Sequence, residues 1–270
     1  MTIDPKPFLA TYEDTKEKAK TKLSEYKQCR GYILSNQFDL IGRAYKIHLG
    51  NYHDLNSLFT KYYTLSFAVK FWRQDGEKDR EEFIHELIRA LHNFLASTST
   101  LVDHTRVVNR LIYNRHDFLQ EYEERVKREL ASSDLVQFVK RLRNYFTHVG
   151  VAPLRLSHEI KNGEFIVDLT LLKDELLKHD GWNAKSREFI ETFEKEASLR
   201  PLIDSYCNRI QEFYLWYQNR FAEIFRLDFE EANRLQNEYN ELLSLADRHH
   251  NLGINDYQRA VIKERESQVK

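Results

Sequence analysis

The sequence predicts an all-α protein, a helical bundle interrupted by one small β-hairpin. Three observations predict it. Only 8 Gly and 4 Pro are spread over 270 residues, so little interrupts a regular backbone. Apolar residues recur at spacings of three and four along most of the chain, which is the period of an amphipathic helix. Between Leu154 and Leu171 the period changes to two around Asn162-Gly163, a pair suited to both central positions of a tight hairpin turn.

Taken in order, residues 1–10 are expected as an extended arm, because Pro5 and Pro7 disfavour helix. A first helix runs from about Thr11 to Tyr32, carrying Tyr12, Ala19, Leu23 and Tyr26, with Gly31 at its end. A second, Asn36 to Leu49, contains Gly42 and stops at Gly50. The segment Asn51 to Arg73 is apolar nearly all round, as befits a helix buried on several sides, and Asp75-Gly76 closes it. Arg80 to Asn114 follows as a long helix of roughly 50 Å. Its small polar centre, Ser97 to Thr100, either bends or packs tightly on a neighbour. His116 to Leu130 continues helically with dense charge.

The most informative stretch is Asp134 to Pro153, DLVQFVKRLRNYFTHVGVAP. Leu135, Phe138, Val139, Leu142 and Phe146 form one apolar stripe, with Asp134 as N-cap and Gly150 and Pro153 as the stop. The hairpin comes next, then a short helix from Asp174 to Lys178, and a helix capped by Asn183 that runs to about Ser198. Pro201 opens a long helix in the turn where its missing N–H costs nothing. Asp228 to His249 forms another, and these two are expected to pair antiparallel. The polar tail from Gln258 is expected to fray.

Composition narrows the functional classes. Hydrophobic residues make up 41% of the chain, and 17 Phe and 15 Tyr supply enough apolar area to argue against disorder. The formal net charge of -1 makes the whole molecule no general polyanion binder. Charge is nevertheless uneven: His104 to Arg155 holds ten Lys or Arg against six Asp or Glu. Only Cys29 and Cys207 occur, with neither disulfide-framework nor zinc-ligand spacing, and no metal or other cofactor is expected. No run has the apolar length of a membrane span and MTIDPKPFLATYEDTKEKAK has no apolar leader segment, so the expected location is the cytoplasm.

Arg143, Asn144 and His148 lie near the end of the Asp134 helix. Positions 144 and 148 are one turn apart on a shared face, and Arg143 flanks them. Such a trio suits a phosphodiester: the guanidinium binds phosphate in a fork, the amide orients, and the imidazole moves protons near neutral pH. Arg–His pairs of similar spacing recur at 43/48, 80/85 and 110/116, so spacing alone says little. At 143/148 the Arg is followed directly by Asn, and the helix stops just beyond. Both cations also complement a helix C-terminus, which leaves a purely stabilising role open. Asp103, His104 and Arg141 are secondary candidates for lining the same cleft and binding substrate.

RNYFTH at 143–148 resembles the motif of the HEPN superfamily, whose ribonuclease members carry Arg, usually a polar residue, then His. The resemblance is firm over residues 80–155. It implies a HEPN-like bundle that dimerises with two motifs facing one cleft, and metal-independent RNA cleavage through the ribose 2′-hydroxyl. His148 is then the acid or base, Arg143 stabilises phosphate charge, and Asn144 orients. HEPN toxins regulated by a nucleotidyltransferase often carry Tyr two residues after the His; here that position is Gly150. On this reading the chain is one domain over 1–270. Its motif-bearing core is 80–155, the hairpin 154–171, and the C-terminal helical extension 183–250. The expected function is an endoribonuclease, a toxin or phage-defence effector acting as a homodimer on RNA, with an antitoxin or other protein as regulator. The alternatives are a catalytically silent HEPN-like dimer that binds RNA, a nucleotide or a protein, and a helical scaffold.

Overall fold

A computed structural model describes residues 6–112 and 116–268 of the chain. The protein is predominantly α-helical, with one three-stranded antiparallel sheet among the described residues. It divides into two compact units, one formed by residues up to Phe38 together with those from Ala222, the other by Asp39–Phe221.

In the first unit, α1 (Lys6–Gln28) and α10 (Arg226–Gln268) run antiparallel. Their register is marked by Tyr12 against His250 (ring centroids 5.1 Å apart) and by Lys22 Nζ 3.0 Å from the Glu238 carboxylate. Ala19, Ala232 and Ala246 are buried, and small side chains of this kind let two helices approach closely. The two helices expected after Pro201 and from Asp228 both form, and the partner found along α10 is α1, distant in sequence. α2 (Arg30–Tyr62) begins beside α10 after a bend at Cys29. A Cβ on Gly31 would lie 2.0 Å from the Asp228 carbonyl oxygen, so only glycine permits this approach.

Several expected boundaries move. Residues 6–10 belong to α1 rather than to an extended arm, with Pro7 in the first turn, where no hydrogen bond is lost. Residues 1–5 lie outside the described residues. α2 passes through Gly42 and Gly50 without a break. Each helical Gly costs about 1 kcal/mol, which the buried stripe Ile41, Ala44, His48, Leu55, Phe59 and Tyr62 outweighs. α10 continues helically to Gln268, past the expected fraying point.

In the second unit, α2 ends at Tyr62 and is followed by α3 (Leu65–Ala68) and a 3-10 turn (Val69–Trp72), where one helix to Arg73 was expected. α4 (Glu77–Leu111) runs unbroken through Ser97–Thr100; its expected end at Asn114 lies outside the described residues. α5 (His116–Arg125) leads through a π-helical segment (Val126–Ala131) into α6 (Asp134–His148). The cap of α6 is Ser133, one residue before the expected Asp134. Its Oγ accepts the Val136 amide at 3.4 Å, and Asp134 sits in the first turn, where its charge complements the helix dipole.

β1 (Leu154–Lys161) and β2 (Glu164–Leu172) form the expected hairpin. Asn162 and Gly163 both adopt positive φ, 54° and 80°, the signature of a type I′ turn that pairs Lys161 with Glu164. Leu169 and Leu171 turn inward. After α7 (Lys173–Leu177), Asn183 caps α8 (Ala184–Glu191) by accepting the Ser186 amide at 2.8 Å. α8 was expected to reach Ser198 but stops at Glu191. Glu196–Ser198 is instead β3, paired with the far edge of β2. Side chains lock that pairing: Thr170 donates to Glu196 at 2.8 Å and Ser198 donates to Asp168. α9 (Leu199–Ile224) completes the unit as far as Phe221. No helix among the described residues is long and apolar enough to cross a membrane.

Candidate functional site

α6 has two working faces. On one, Phe138 and Leu142 are buried, while the buried Val139 lines the cleft on the other. Phe138 meets Trp182 (5.7 Å between centroids), Phe189 (5.3 Å) and Phe193 (6.0 Å). Tyr145 extends this aromatic contact by stacking on Trp182 at 5.9 Å. Anchored so, the helix presents Val136, Lys140, Arg143 and Asn144 to α4, with a cleft of about 180 Å³ between them. α4 contributes Thr98, Ser99, Val102, Asp103 and Arg106, and α9 contributes Tyr206.

Arg143 and Asn144 are half-buried, and Arg143 Nη1 donates to Asn144 Oδ1 at 3.3 Å. That bond occupies the amide oxygen and leaves the amide N–H groups and the rest of the guanidinium fork available to a ligand. The end of α6 is fixed as its residues predict: the Val149 and Gly150 amides both donate to the Tyr145 carbonyl, at 2.9 and 3.1 Å.

The other predicted residues divide. Asp103 lines the cleft and accepts from Arg106 Nη1 at 3.2 Å. His148 is exposed one turn beyond Asn144, at the end of the helix; it does not line the cleft and makes no hydrogen bond to a described residue. His104 is half-buried and lies off the cleft, and its Nδ1 is buried without a partner. Arg141 is also off the cleft. Two cations absent from the sequence reading, Arg106 and Lys140, stand on the cleft walls. A signal for each existed: Arg106 follows Asp103 by three residues and Lys140 precedes Arg143 by three, so each shares a face with a candidate.

The small polar centre of α4 packs tightly rather than bending. Ser97 and Thr98 donate to the Phe94 carbonyl at 2.7 and 3.1 Å, and both oxygens lie within 3.5 Å of His48 Nδ1. His48 Nε2 is buried without a partner among the described residues. His48 is 0% exposed, and burial lowers its pKa from the ordinary 6.5 to about 4. Below pH 6.5 the unfolded chain therefore takes up a proton that the folded chain refuses until about pH 4. Stability from this group is complete above pH 6.5 and is lost as pH falls to 4, by about 3 kcal/mol. Denaturant unfolding between pH 7 and 4 is expected to show that loss in the wild type and a flatter profile in His48→Gln. Parallel profiles would contradict the assignment.

Among the described residues no group of three or more His, Cys, Asp or Glu is placed to hold a metal ion. No family model, curated protein or solved structure matches the chain.

Proposed function

We propose that the chain is a metal-independent endoribonuclease of the HEPN type, acting as a homodimer. The observation that carries this reading is the Arg143–Asn144 pair, joined by a hydrogen bond on the wall of a cleft that Arg106 and Lys140 make cationic. A phosphodiester is the group that uses such donors best, because its two non-bridging oxygens match the fork of a guanidinium. Arg143 then holds the scissile phosphate and stabilises the charge that builds on it, while the Asn144 amide fixes its orientation.

In the reaction the ribose O2′ attacks phosphorus. The O2′–P bond forms as the P–O5′ bond breaks, leaving a 2′,3′-cyclic phosphate and a 5′-hydroxyl. His148, exposed one turn beyond Asn144, takes the 2′ proton. The His148 of a second copy gives a proton to the leaving O5′, which is the chemical reason for a dimer. An activity of this kind needs restraint in a cell, and the reading includes a toxin or defence effector held by a regulatory protein.

One observation favours a second reading. His148 stands outside the cleft, so the same residues also describe a silent module that binds RNA or a nucleotide phosphate without cutting it. Incubation of purified protein with RNA in excess chelator separates the two. Cyclic-phosphate ends are the expected product, and bound but intact RNA would establish the silent module.

A further inference from the structure

The cleft between α4 and α6 shares one wall residue with a neighbouring cleft. A second cleft, of about 330 Å³, lies between α4 and α5 and is lined by Arg106, Asn109, Arg110, Leu119, Tyr122 and Glu123. Arg106 belongs to both. On α4 the lining residues of the two sites, Thr98, Val102, Arg106, Asn109 and Arg110, follow one another at spacings of one, three and four, so they form a single stripe on one helix face. From Asp103 to Arg110 the stripe advances by about two turns, or roughly 10 Å.

Asn109, on the wall of the second cleft, is nearly buried and only half-satisfied. Asn109 is 7% exposed; its Oδ1 accepts the Tyr217 hydroxyl at 2.7 Å, yet its Nδ2 is buried with no partner among the described residues. An amide left half-satisfied in a core is costly, and such groups call for an explanation. Beside it, the exposed Arg110 uses, among the described residues, its Nε alone, on the Arg106 carbonyl at 3.3 Å, which leaves the two terminal nitrogens of its fork for an anion. Tyr122 adds a half-buried ring. Along both clefts four cations, Arg106, Arg110, Lys140 and Arg143, face two carboxylates, Asp103 and Glu123. A single phosphate would use half of this groove; a strand with phosphates in series uses all of it.

We infer that the second cleft is a subsite for a nucleotide flanking the one held at Arg143, with its phosphate on Arg106 and Arg110. The ligand class is single-stranded RNA, and this inference rests on the ribonuclease reading above. Arg110 is a binding residue remote from the reacting atoms, and its exposed position makes Arg110→Ala safe for folding.

The test is fluorescence anisotropy of uncleavable 2′-O-methyl RNA, as a dinucleotide and a hexanucleotide, on wild type, Arg110→Ala and Arg143→Ala. In the wild type the longer strand is expected to bind about tenfold more tightly. Arg110→Ala should remove that advantage, leave dinucleotide affinity unchanged and reduce the salt dependence of hexanucleotide binding by about one ionic contact. Arg143→Ala should weaken both lengths. Hexanucleotide affinity unchanged in Arg110→Ala, with Arg143→Ala still weakening both, would overturn the subsite alone. Binding of both lengths that ignores Arg143→Ala, or no binding of either, would overturn the parent reading and the subsite with it.

Discussion

Arg143→Ala is expected to lower kcat/KM for RNA cleavage by about 10²- to 10³-fold, the usual cost of removing one donor aimed at developing charge. The guanidinium is half-buried on the cleft wall, and its bond to Asn144 limits the rotamers it samples. Removal therefore costs both charge and the orientation of its neighbour. Arg143→Lys should recover only a small part of the activity, because an ammonium keeps the charge but not the planar fork. Initial rates on one short RNA measure both variants. Ala and Lys variants indistinguishable from the wild type would place the phosphate elsewhere.

Phe138→Ala is expected to destabilise the fold by about 3–5 kcal/mol, the range for removing a buried aromatic ring. Phe138 is 1% exposed, and its three aromatic neighbours, Trp182, Phe189 and Phe193, hold α6 in position from the face opposite the cleft. Urea unfolding should show a lower midpoint with an unchanged slope. RNA cleavage should fall as well, even where the protein remains folded, because α6 loses the packing that aims Arg143. A midpoint close to the wild-type value would show that other contacts position the helix.

Features set by neighbours along the chain were legible in the sequence. Asn162-Gly163 specifies its turn, Asn183 its cap, and the 135–146 stripe its helix, because each depends on residues within a few positions. Features set by distant partners were not. Glu196–Ser198 looks like the end of a helix until it meets the edge of β2, and nothing near Gly42 or Gly50 reveals the buried stripe that carries α2 past them. The site divides along the same line. Arg143 and Asn144 were readable from α6, whereas the opposite wall belongs to α4. Adjacent helical residues point about 100° apart, so Asp103 reaches the cleft and His104 does not. Arg106 and Lys140 carried no motif; their spacing of three from Asp103 and Arg143 was the one local sign of a shared face, and the pairing of α4 with α6 gives it meaning.

The measurement that tests the central claim most directly is RNA cleavage in excess chelator by wild type beside His148→Ala, with the product ends identified. Cyclic-phosphate ends are expected from the wild type, with a rate about 10²- to 10⁴-fold lower in the variant. Equal rates in the two proteins, or no cleavage by a folded wild-type dimer that binds the same RNA, would contradict that claim.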